Sequence, residues 1–177
     1  MEKVIPHNLV AEQSVLGSMF LSKYALQKCI EGLTSDQFYS DANGKIFNII
    51  SSLSENGSAI DLTTVTAELD KRKELKQVGG VEYLSEIASL VPSAANVDEY
   101  IKIVEEKAIL RRLIDSATEI ATDGYQSTED ISEILDRAEK KILNVVKTRK
   151  GTEFRTIQDV LFKTQADLEK LSQLKGV

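Results

Sequence analysis

The chain has 177 residues, 42% of them hydrophobic, with 28% charged residues, two prolines and no tryptophan. This suits one compact domain plus an appendage and favours an all-helical protein with solvated outer faces. A net charge of -6 lacks the basic excess that direct nucleic-acid binding usually shows, so DNA contact by this chain is not expected.

In chain order, Glu2 and Lys3 precede a short apolar pair that Pro6 ends, which is not a signal peptide. No apolar stretch approaches a membrane span, so a soluble, cytosolic protein is expected. Asn8 can cap a first helix that buries Ala11, Val15, Leu16, Met19 and Phe20. A second helix carries Leu26, Cys29, Ile30 and Leu33 on one line, with Gly32 weakening its end. Cys29 is the single cysteine, which excludes an internal disulfide and reads as a small core residue. Thr34 and Gln37 form a capping pair that turns Phe38 and Tyr39 into the core. A third helix with Ile46, Phe47, Ile50 and Leu53 stops at Asn56-Gly57. Asp61 caps a fourth with Leu62, Val65 and Leu69, and Gly79-Gly80 separates it from a fifth with Tyr83, Leu84, Ile87, Ala88 and Val91.

Pro92 then breaks the chain. Asn96 with Glu99 resembles the cap of a long helix running to about Gly124, roughly 40 Å at the standard rise. Val97, Tyr100, Ile101, Val104 and Ala108 make one stripe of it, whereas Leu110 and Ile114 fall on a neighbouring line. A helix with two apolar lines packs against two things. After a polar turn, a second helix from Ile131 to Val146 shows a single stripe, so the two form an antiparallel hairpin protruding from the globular part. Thr148 to Arg155, with Gly151 and no periodicity, reads as a linker before a last amphipathic helix from Thr156. On that helix Ile157, Val160, Leu161, Leu168 and Leu171 share a face that requires a docking partner. The expected division is therefore 1–92 globular, 93–147 hairpin and 148–177 linker with linker helix.

Enzymatic chemistry is missing from the pattern. Nothing matches a phosphate-binding loop, and Asn43-Gly44-Lys45 reads as a helix-initiating turn. One histidine and one cysteine supply neither a zinc cluster nor a histidine-based nucleophile triad. Lys71-Arg72-Lys73 and the basic residues 147–150 read as solvated helix ends. Arg111 and Arg112 fit hairpin salt bridges better than DNA contacts. The surplus line makes Leu110, Ile114 and Ile120 candidates for self-assembly or partner docking. Tyr125, at the turn, joins them, with Tyr83 as a second choice on the globular face.

Several separated segments carry a resemblance over almost the whole chain: Ile5 to Phe20 (IPHNLVAEQSVLGSMF), Gln37 to Phe47, Ile60 to Leu69, Gly79 to Ile87 and Val91 to Ile114. Together, and in this order, they resemble the N-terminal region of bacterial replicative DNA helicases of the DnaB type. Asn43 departs from the family, which commonly carries a histidine there, so no imidazole role transfers. The resemblance implies an ATP- and Mg2+-dependent motor after residue 177, and a hexameric ring around single-stranded DNA. It also implies a collar of paired hairpins that binds the C-terminal domain of primase, possible contact with a helicase loader, and docking of the linker helix on a neighbouring motor. A free-standing helical oligomerisation adaptor with no enzymatic parent is the alternative that residue patterns leave open.

Overall fold

The structure, a computed structural model, describes residues 2–126 and 128–174, with side chains described except at 149–160, 162, 173 and 174. The described residues are all-helical: α1 (Leu9–Leu21), α2 (Lys23–Gly32), a 3-10 turn (Ser35–Gln37), α3 (Asp41–Glu55), α4 (Leu62–Lys71), α5 (Gly80–Leu90), α6 (Val97–Gln126) and α7 (Ile131–Leu174). They divide into two compact units, Met1–Arg111 and Arg112–Val177, so the first unit extends past Pro92 into α6.

Local chemistry sets most helix starts in the first unit. Asn8 Oδ1 accepts from Ala11 N at 2.9 Å, and Ser22 Oγ accepts from Ala25 N at 3.1 Å. Asp61 Oδ1 accepts from Thr64 N at 2.8 Å while Asp61 N donates to Thr64 Oγ1 at 3.1 Å, a reciprocal cap. Thr34 N donates to Gln37 Oε1 at 2.8 Å, as the pairing predicts. At the start of α6 it is the main-chain carbonyl of Asn96 that accepts, from Glu99 N and Tyr100 N. Gly79 stands at φ 104°, a left-handed conformation that a β-carbon would strain, and so ends the α4–α5 connection.

The core of this unit gathers Val15, Leu16, Met19, Ile46, Ile49, Ile50, Val65, Leu69, Leu84 and Ile87, all of them at most 1% exposed. Helix α6 closes it with Val97, Ile101, Val104 and Ala108, the expected stripe. Gly17 lets α1 approach α5, because a β-carbon there would stand 2.7 Å from the Ile87 carbonyl oxygen. Cys29 is fully buried, and burial, helped by the nearby Asp98 carboxylate, pushes its thiol up to about 12.

Two expectations are corrected. Tyr39 does not enter the core; it is 43% exposed and stacks on His7, with ring centroids 4.3 Å apart. Only Phe38 turns inward, against Phe47. The break expected over Thr148 to Arg155 is absent, and α7 runs through Gly151 as one helix of 44 residues. A single helical glycine costs about 1 kcal/mol, and with no proline in the segment nothing forces a stop.

Candidate functional site

A buried polar network organises the first unit. Glu12, only 2% exposed, projects from α1 to the start of α3. There its carboxylate accepts from Tyr39 N at 2.8 Å, Ser40 N at 3.1 Å and Asn43 Nδ2 at 3.1 Å. An anion at a helix N-terminus satisfies donors that the helix itself cannot. Asn43 Oδ1 accepts from the Tyr83 hydroxyl at 2.7 Å, and that hydroxyl accepts from Gln13 Nε2 at 3.1 Å. The chain of bonds ties α1, α3 and α5 together. Tyr83 is therefore half-buried with its hydroxyl engaged inside the unit. Sequence reasoning missed Glu12, although a carboxylate lying between Ala11 and Val15 on an apolar stripe was a readable signal.

Asn43-Gly44-Lys45 forms the first turn of α3 rather than a phosphate cradle. Lys45 Nζ donates to Gln77 Oε1 at 2.5 Å and stands 3.5 Å from Asp41. Lys45 is thus engaged within the fold. Among the described residues, no group of three His, Cys, Asp or Glu is arranged to hold a metal ion. No described helix is long and apolar enough to cross a membrane.

Arg111 corrects another expectation. In place of a carboxylate in the hairpin, its guanidinium donates to two main-chain carbonyls, Pro6 O at 2.9 Å and Gln37 O at 2.7 Å. It also stands 5.7 Å from the centre of the Tyr39 ring. No local pattern reveals partners that lie 105 and 74 residues away in sequence.

The second unit is built differently. Its two helices are joined by ion pairs near the turn. Lys141 Nζ lies 3.1 Å from both Asp123 and Glu119. Arg137 lies 3.2 Å from Asp123 and 2.9 Å from Glu129. The pairs to Asp123 and Glu119 match residues early in α7 with residues late in α6, as an antiparallel hairpin requires, while Glu129 lies in the turn. The hydrogen bond from Lys141, with the charges of Lys141 and Arg137, holds the Asp123 carboxyl below the usual range. Lys141 is raised by its hydrogen bonds to Asp123 and Glu119, and Arg137 by Glu129. At the start of α7 the Asp130 carbonyl accepts from Glu133 N and Ile134 N.

Large apolar side chains in this unit mostly face outward. Leu113, Ile114, Ile131, Leu135, Leu143 and Val146 are exposed, and Ile134 is its one buried hydrophobe among the described residues. Ile120 is half-buried and Tyr125 is 92% exposed. On α7, Leu161, Leu168 and Leu171 are exposed at helical spacing; the side chains of Ile157 and Val160 lie outside those described. In the first unit, Leu110 is 41% exposed although Ala108 beside it is buried. An apolar surface of this kind marks an interface more often than a catalytic centre.

Comparison with known proteins decides the lineage. Residues 4–106 match the family model described as the DnaB-like helicase N terminal domain. The chain belongs to this family. It is 45% identical over 175 residues to the replicative DNA helicase DnaC of Bacillus subtilis (strain 168), which covers 99% of this chain and 38% of that relative. The replicative DNA helicase DnaB of Geobacillus stearothermophilus is 44% identical over the same shares. The crystal structure of the N-terminal domain of DnaB helicase from Mycobacterium tuberculosis superimposes with a TM-score of 0.75 at 43% identity, covering 79% of this chain and 99% of that one. A DnaB-like replicative helicase, solved in a study of its interactions with primase, shares the fold with a TM-score of 0.65 at 24% identity, over 82% of this chain and 35% of that one. The chain thus spans 38% of the length of these two relatives, and it matches the N-terminal domain of the family.

Proposed function

We propose that this chain is the collar and partner-docking module of a bacterial replicative DNA helicase. The carrying observation is the pairing of near-complete coverage here with 38% coverage of relatives named as replicative helicases. On this reading ATP hydrolysis, Mg2+ and single-stranded DNA belong to a motor that these residues do not form, and the whole protein assembles as a hexameric ring in the cytoplasm. A free-standing adaptor is the weaker reading, because the Bacillus subtilis and Geobacillus stearothermophilus relatives it matches over 99% of its length are longer replicative helicases.

Within the module, the outward apolar residues of the second unit serve assembly and docking. Ile114 serves contact between sister chains, as Leu110 does from the first unit. Ile120 and Tyr125, near the hairpin turn, serve the C-terminal domain of primase. The exposed line Leu161, Leu168 and Leu171, continued in sequence by Ile157 and Val160, serves docking on a neighbouring motor. A loader contact belongs to the same class of surface. Interface energy concentrates in a few large side chains, each costing about 2 kcal/mol or more on truncation, roughly thirtyfold in affinity.

Calorimetric titration of the primase C-terminal domain into the chain tests the reading. Micromolar or tighter binding is expected, weakened by Ile120→Ala and Tyr125→Ala with the mass of the assembly unchanged. Equal affinity in all three proteins removes the hairpin turn from the docking surface, and absence of binding removes primase as the partner. Separately, the chain alone should hydrolyse ATP at background rate; a robust Mg2+-dependent rate would overturn the assignment of the motor to other residues.

A further inference from the structure

Residues 2–8 adopt neither helix nor turn, yet Pro6 and His7 tie them to the unit. Pro6 O receives Arg111 Nη1, and the ring of His7 lies on the ring of Tyr39 with an interplanar angle of 15°. His7 Nδ1 is also 2.7 Å from Ile5 O, which curls the segment on itself. Little else holds it: Val4 is 68% exposed and Ile5 54%. Helix α1 does not depend on this attachment, since Asn8 supplies its own cap through Oδ1 and through its carbonyl, which accepts from Glu12 N.

The two donors of Arg111 differ in what they hold. Gln37 O belongs to the 3-10 turn that Thr34 and Gln37 stabilise, so this prong is anchored in the unit. Tyr39 is likewise fixed, because its N–H is bonded to Glu12. Pro6 O belongs to a segment in which Val4 and Ile5 are exposed, Pro6 and His7 are only half-buried, and no side chain is fully buried. Segments with few buried contacts open at the low end of a protein's range of local stabilities.

We infer that residues 4–8 form a strap that closes over Tyr39, is latched by Arg111 and opens about Asn8 without unfolding the first unit. Opening frees one face of the Tyr39 ring and one prong of Arg111, while the other prong stays on Gln37. The open site then offers an aromatic platform beside a guanidinium donor. In the closed state that pair recognises an extended, proline-containing segment.

His7 is the single histidine of the chain, so its imidazole protons give an isolated magnetic-resonance reporter. Stacked on Tyr39, they should resonate upfield of their position in a free peptide. In the wild-type chain at fixed pH, heating should return them to the free position at temperatures where circular dichroism still shows full helicity. Arg111→Ala should abolish most of the upfield displacement at low temperature, and Arg111→Lys, which keeps the charge but loses the fork, should abolish part of it. The inference is overturned if the His7 signals hold until the global transition in the wild type. It is equally overturned if Arg111→Ala folds and leaves them unmoved. Should Arg111→Ala fail to fold, the wild-type melt and the lysine variant decide the matter alone.

Discussion

The two units stabilise themselves in opposite ways. The first has a closed core of large hydrophobes and a buried carboxylate whose hydrogen bonds are supplied from within the fold. The second closes its hairpin with half-buried ion pairs and leaves most of its large hydrophobes facing out. Ion pairs that water still reaches contribute little each. Buried apolar side chains contribute about 1.5–3 kcal/mol each. The contrast teaches that the first unit closes a core within itself, while the second leaves most of its large hydrophobes uncovered.

Disturbing the first unit's core should break that contrast most severely. Leu16 is fully buried, and Leu16→Ala should cost about 3–5 kcal/mol in urea unfolding. Ile114→Ala should cost well under about 1 kcal/mol in the isolated chain at low concentration, where no partner covers it. Comparable losses for the two variants would mean that the hairpin has a core of its own. Next in size is Glu12→Ala, which strands the Tyr39 and Ser40 amides and the Asn43 side chain. The expected loss is about 3 kcal/mol, measured in the same way. A loss near zero would make the network decorative.

Helix starts and stops were legible because their chemistry is local. Asn8, Asp61 and the Thr34–Gln37 pair cap where their spacing says, Asn56-Gly57 ends α3, and Gly79-Gly80 separates α4 from α5 as expected. The α6 stripe was also readable, since helical period alone puts Val97, Ile101, Val104 and Ala108 on one side. Legibility fails where the partner is remote in sequence. The destinations of Arg111 and Glu12 depend on which segments the fold brings together. Continuity of α7 was missed for another reason: polar, aperiodic residues without proline suit a solvated helix as well as a linker. The outward residues Leu110 and Ile114 could be named from the surplus line, but the pattern does not say what meets them.

Self-association sharpens the comparison from the other side. Ile114→Asp, or Leu110→Asp, should weaken assembly by about 2 kcal/mol or more, because a charge would enter a desolvated contact. Light scattering should report a smaller species with helicity retained; unchanged mass in both variants would put the interface elsewhere. The smallest effect belongs to the ion pairs. The Asp123 carboxyl titrates lower in the folded hairpin than in the unfolded chain. Its contribution is therefore fully present above the ordinary carboxylate value of about 4 and is lost as pH falls through the depressed folded value. Asp123→Asn should abolish that acid-range dependence, and molar salt should blunt it. Identical acid titrations of wild type and variant, followed by hairpin amide signals, would assign the sensitivity to another group.

Cys29 gives the chain a practical property. Enclosed in the first unit and protonated well above neutral pH, it is unreactive toward thiol reagents while the fold is intact. A cysteine introduced at Tyr125 would then be the one site to take a dye or spin label under native conditions. Any second equivalent of label would count the molecules whose core had opened, so one reaction places the probe and audits the fold.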